Sequence, residues 1–206
     1  MIDRRWLRRG ALGITFSCLV FAYLRPVLGK KHSLRPEPAV HGELAARSLY
    51  RLGGAFQTDS SQALHLSGLR GNFQVLALIF TRCPSVCPTL VHEMQALERA
   101  MPAEVSAATR FMLVSIDPAH DTPEALRAYR SKHGLNREHW TLLRGEPDSV
   151  RDLSALLGFS YASGDGVPLA HSKLVTVLNR DGEVIHQQES VGADPEKIIA
   201  AIARAL

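Results

Sequence analysis

Two cysteines with three residues between them, Cys83 and Cys87, are each followed by a proline, Pro84 and Pro88, and come after an apolar run, Val75-Leu76-Ala77-Leu78-Ile79-Phe80. A helical pattern starts directly after them. Thiols at i and i+4 beside a helix start can face the same way. Free N–H groups and a partial positive charge at a helix N-terminus favour thiolate. A thiolate is both the nucleophile of disulfide exchange and a soft ligand for Cu(I). The two prolines remove backbone donors and stiffen the loop. Two thiolates alone make a poor metal site, so a third ligand is required. Of nine histidines, His120 falls near the same end of the fold. His171, in Val167-Pro168-Leu169-Ala170-His171, leads straight into a late strand. The bland reading is two buried cysteines that merely pack as small hydrophobes.

The elements that must hold these residues follow from the pattern. Ala55–Thr58 and Ala63–Leu66 suggest a short β-hairpin. Phe73–Phe80 is almost wholly apolar, as expected of a strand covered on both faces. Pro88–Ala100 is helical, with Leu90, Met94 and Leu97 on one face. Arg110–Asp117 is a second buried strand. Thr122 and Pro123 suit the N-cap and first position of a helix that Gly134 stops near His133. Trp140–Leu143 is a strand and Ser149–Leu157 a helix closed by Gly158. Gly164–Gly166 is a turn. Ser172–Leu178 and Glu183–Gln188 form a hairpin around Asn179–Gly182, and Pro195–Ala205 is the last helix. This order predicts an α/β fold: a thioredoxin-like sandwich with an N-terminal β-hairpin extension and an inserted strand–helix unit. Functional groups then gather at the carboxyl ends of the strands, where Cys83 and Cys87 fall.

The N-terminus differs in kind. Arg4, Arg5, Arg8 and Arg9 precede fourteen uncharged residues, Ala11–Leu24. A basic stretch before an apolar one reads as an export signal or membrane anchor, with the body translocated. The expected division is 1–29 as signal or anchor, 30–52 as linker and 53–206 as the folded domain. The net charge of +4 belongs to this tail. Residues 1–31 carry +6, which leaves −2 on the other 175, so nothing favours nucleic-acid binding by the body. With only three cysteines, one of them (Cys18) inside the apolar run, a disulfide-stapled scaffold is excluded.

Three segments together resemble the Sco/SenC family of copper-binding, thioredoxin-like proteins. They are Phe80-Thr81-Arg82-Cys83-Pro84-Ser85-Val86-Cys87-Pro88-Thr89-Leu90, Val114-Ser115-Ile116-Asp117-Pro118 with Asp121-Thr122-Pro123-Glu124, and His171-Ser172 with Asn179-Arg180-Asp181-Gly182. The resemblance runs from about Gly53 to the C-terminus. It implies copper, as Cu(I) or Cu(II), held by Cys83, Cys87 and His171, with Asp117 in a supporting role. It implies a metallochaperone that helps build the CuA centre of cytochrome c oxidase. The alternative is a thiol–disulfide oxidoreductase acting through Cys83 and Cys87 on a partner such as the apo-CuA subunit. Expected partners are the CuA-bearing subunit, other periplasmic copper chaperones or thioredoxin-like reductases, and the membrane. The expected location is the inner membrane with the domain facing the periplasm, or a cleaved periplasmic form. Two positions depart from the family pattern: Arg82, where many members have histidine, and Ala170, where many have aspartate.

Overall fold

In the computed structural model the described residues are 47–159, 161–162, 169–170, 173–192 and 194–206. The expected anchor over 1–29, the part of the expected linker that runs over 30–46, the Gly164–Gly166 turn and His171 lie outside them. Among the described residues no helix is long and apolar enough to cross a membrane.

The expected hairpin is β1 (Phe56–Thr58) and β2 (Ala63–Leu64). The central strand β3 (Phe73–Ile79) is buried at all seven positions. Side chains of a strand alternate between faces, so both faces of the sheet are covered here. Helix α1 (Val86–Ala100) follows, then a short helix α2 (Ala103–Ala108), β4 (Thr109–Ser115) and α3 (Pro123–His133). Thr122 caps α3, its Oγ1 accepting the Ala125 N–H, and Gly134 closes it at φ 63°. β5 (Trp140–Gly145) and α4 (Pro147–Leu157) come next. A two-residue ribbon pairs β6 (Tyr161–Ala162) with β7 (Leu169–Ala170). β8 (Leu174–Leu178), β9 (Val184–Glu189) and α5 (Pro195–Ala203) complete the chain.

Seven strands form one mixed sheet in the order β2-β1-β5-β4-β3-β8-β9. β3, β4 and β5 are parallel neighbours. β8 runs antiparallel to β3, and β1 antiparallel to β5. The N-terminal hairpin therefore extends one edge and the C-terminal hairpin the other. The parallel centre is the thioredoxin-like part, and it puts the ends of β3 and β4 side by side. Phe111 stacks on Trp140 at 4.6 Å between β4 and β5.

The packed body begins upstream of Gly53. Leu49 and Tyr50, within the stretch expected as linker, are buried. The Leu49 N–H donates to the Gly182 carbonyl at 2.9 Å. Gly182 sits at φ 81°, and a Cβ there would meet the Tyr50 ring at 2.6 Å. Tyr50 thus packs on the turn of the last hairpin, which a polar linker pattern gives no means to foresee.

Candidate metal centre

β3 ends at Ile79, and the chain turns through Thr81–Ser85 before α1. The Cys83 N–H donates back to the Phe80 carbonyl at 3.2 Å. Ser85 stands at the N-cap of α1, yet its side chain caps nothing. The Cys83 sulfur takes that place, accepting the Cys87 N–H at 3.3 Å. The first N–H groups of a helix have no partner within it, and they stabilise an anion placed over them.

The helix starts at Val86 rather than Pro88, so Cys87 belongs to its first turn. Proline is tolerated there because its missing N–H would be unpaired anyway. This makes the two sulfurs unequal. Burial pushes the Cys83 thiol up, but the N–H groups of Cys87, Ser85 and Val86 outweigh it, and the net shift is downward. Burial pushes the Cys87 thiol up to about 12, and the nearby Cys83 and Asp121 charges push the same way. The expectation that the helix N-terminus favours thiolate holds for Cys83 and fails for Cys87. Both cysteines are free and buried.

Asp121 ties the loop down. It is fully buried. Its carboxylate accepts the Thr81 N–H at 3.1 Å, the Thr81 hydroxyl at 2.5 Å and the Ser115 hydroxyl at 2.5 Å. The ends of β3 and β4 and the entry to α3 are thereby joined at one buried carboxylate. Asp117 holds the rim. It accepts Arg82 Nη2 at 2.7 Å, and its other oxygen lies 2.8 Å from His120 Nδ1. Arg82 Nη2 is also 2.9 Å from His120 Nδ1. Burial works against ionising Asp117, but His120 and Arg82 outweigh it and hold its carboxyl below the usual range. The departure at Arg82 therefore has a structural partner in Asp117. Asp121 appeared in the sequence only as part of a motif. The one signal of its role was an acidic residue just past a buried strand end.

Cys83 and Cys87 come together as expected. His171 lies outside the described residues. Among the described residues no group of three or more His, Cys, Asp or Glu could hold a metal ion. His120 is half-exposed beside the site, and His92 is exposed on α1. His139 pairs with Glu98, and His133 lies on the Tyr129 ring. The described donor set is two adjacent sulfurs, one already at an anion-stabilising position. That set suits a soft thiophilic ion or disulfide exchange.

The fold and this site define a thioredoxin-like α/β protein with a cysteine pair at the carboxyl end of a central strand. A family model described as SCO1/SenC matches residues 45–206, and the chain belongs to that family. A Stutzerimonas stutzeri protein, named provisionally as copper-binding, is 31% identical over 131 residues. That match takes in 61% of this chain and 62% of the relative's length, so it spans less than two thirds of that protein. BsSco, described as a member of the Sco family of cytochrome c oxidase assembly proteins, aligns with TM-score 0.65 at 21% identity. The alignment covers 75% of this chain and 92% of BsSco. Arabidopsis thaliana ScoI, solved with copper bound, aligns with TM-score 0.63 at 19% identity, over 74% of this chain and 99% of that one. At these identities the two structures carry the fold.

Proposed function

We propose that the protein is a copper metallochaperone that delivers copper to the CuA-bearing subunit of cytochrome c oxidase. The observation that carries this is the free Cys83 sulfur over the N-terminus of α1, one helical turn from Cys87, in a SCO1/SenC chain. Copper is the cargo. Cys83 and Cys87 would hold it with His171, the ligand that the family resemblance supplies. Copper-binding relatives support the choice of metal.

The residues divide the work. Cys83 is the thiol nearer ionisation and the more exposed of the two, so it engages the ion first. Cys87 must lose its proton on ligation, so loading releases protons and weakens as pH falls. Release proceeds by ligand exchange with acceptor thiolates, again through the more accessible Cys83. Asp121 keeps the loop shape fixed throughout. The N-terminal segment would anchor the domain to the inner membrane, facing the periplasm. A reporter fused after Leu206 should be active outside the cytoplasm, and cytoplasmic activity would contradict this.

The unequal thiols favour a second reading, a thiol–disulfide oxidoreductase. The Cys83 thiolate would attack a partner's disulfide, giving a mixed disulfide and one partner thiolate. Cys87, deprotonated, would then attack the Cys83 sulfur. The second partner thiolate would leave, with a Cys83–Cys87 disulfide formed and two electrons passed to the partner. Oxidase assembly in cells separates the two readings. Under the copper reading Cys83→Ser, Cys87→Ser and His171→Ala all abolish it. Assembly that persists in His171→Ala supports the reductase.

A further inference from the structure

Arg82 directly precedes Cys83, and it is the only Arg, Lys, Asp or Glu from Thr81 to Thr89. Its side chain is 43% exposed, whereas that of its partner Asp117 is 8% exposed. Asp117 accepts Arg82 Nη2 at 2.7 Å from the inside. Among the described residues the contacts of the guanidinium all run through Nη2, to Asp117 and beside His120. The Nε and Nη1 donors are left over. The fork is thus held at one end and open at the other.

The acids around it are otherwise engaged. Asp121 is buried under Thr81 and Ser115. Glu124, the exposed acid in the first turn of α3, is paired with Arg127 at 3.0 Å. Arg144 Nη2 donates to the Pro118 carbonyl at 2.9 Å and brings a second guanidinium to the loop that carries Asp117. The rim therefore buries or pairs these acids and leaves the Arg82 fork open. A guanidinium fork takes a carboxylate through two parallel hydrogen bonds.

Around the buried Cys83 the exposed residues of the loop are Arg82, Pro84 and Ser85. A partner sulfur that meets Cys83 passes beside them. The residue next to that sulfur, about 3.5 Å along an extended partner chain, falls within reach of Arg82. We infer that Arg82 is a specificity contact for an acidic segment of a partner protein, gripping a carboxylate next to the sulfur that engages Cys83. The inference rests on Cys83 being the sulfur that a partner meets, which both functional readings require.

The test offers the reduced full-length protein two peptides at once, Glu-Cys-Glu and Lys-Cys-Lys, each activated as its 2-pyridyl disulfide. A Cys87→Ser background stops the second exchange. The Cys83 thiolate attacks the peptide sulfur, a disulfide forms between them, and 2-thiopyridone leaves with the electron pair of the broken S–S bond. Peptide mass spectrometry reads the ratio of the two conjugates at Cys83, divided by the ratio that mercaptoethanol gives with the same mixture. Both peptides meet one thiolate, so its own reactivity cancels. With Arg82 present the acidic peptide should be favoured about fivefold at low salt, and less in about 0.5 M NaCl. Arg82→Gln should bring the ratio near one, and Arg82→Glu should favour the basic peptide. Arg82→Lys keeps the charge without the fork and should keep part of the preference. The salt dependence needs no variant at position 82, so a loop disturbed by substitution does not decide the outcome. A ratio near or below one with Arg82 present, or an undiminished ratio in Arg82→Gln, overturns the role of Arg82. No conjugate at Cys83 with either peptide overturns the inference together with the place of Cys83 in both readings. Copper stoichiometry, read separately on wild type, bears on the copper reading alone.

Discussion

Cys83 and Cys87 look alike in the sequence and differ in the fold. Their spacing and flanking prolines announce a dithiol, and that much was legible. The difference between them depends on where the helix starts, and a proline at position 88 hides that start. With α1 beginning at Val86, Cys83 caps the helix while Cys87 is swallowed by it. Only a thiolate alkylates at a useful rate. A brief iodoacetamide pulse on the reduced protein near neutral pH should therefore label Cys83 well ahead of Cys87, which labels only after unfolding. Peptide mass spectrometry reads the order, and equal labelling of the two would contradict it. Arg82 was visible only as a departure from the family pattern. Its partner Asp117 lies 35 positions away, a pairing that local sequence cannot supply.

Among the elements, the long apolar strands and the capped helices were legible because each is specified locally. β3 reads as a continuous apolar run, and α3 carries a threonine cap, a proline start and a glycine stop. Helix α2 was missed, since six residues show too little periodicity to register. The β6–β7 ribbon is two residues on each side, too short for a local pattern to announce it. Asp121 is the joint between elements. Asp121→Ala would strand the Thr81 N–H and the Thr81 and Ser115 hydroxyls inside the protein. The loss should be on the order of 3 kcal/mol in urea unfolding, with looser copper retention because the cysteine loop is no longer tied to β4. A loss below about 1 kcal/mol, within the range of ordinary surface changes, would show that the joint carries little.

At the scale of the whole molecule, the N-terminal hairpin is locked on by charge. Asp59, at the tip of the β1–β2 hairpin, receives Arg130 Nε at 2.7 Å, and both side chains are buried. Burial raises the Asp59 carboxyl, but Arg130 and Arg137 outweigh it and the net shift is downward. Glu93 and Asp117 are lowered too, in each case because their hydrogen-bond and charge partners outweigh burial. A carboxyl with a folded pKa below its unfolded value adds stability that is complete above the unfolded value, near 4, and is lost as pH falls through the folded one. Thermal stability should therefore fall steeply below about pH 4, where these carboxyls take up protons. Asp59→Asn should start lower and lose less on acidification, as calorimetry across pH would register; an unchanged acid slope would contradict the assignment. Asp59 lies 71 residues from Arg130, so this lock was out of reach of any local reading. The family, by contrast, was legible from three short segments. The proposed site holds one copper ion between two sulfurs and one imidazole, and one titration tests it. Reduced wild type and His171→Ala are loaded with copper and read by absorption and by nitrogen hyperfine coupling. Wild type should bind one copper per chain, with a sulfur-to-copper charge-transfer band and nitrogen coupling, and His171→Ala should lose the coupling. No stoichiometric copper in the wild type, or an unchanged spectrum in His171→Ala, would contradict it.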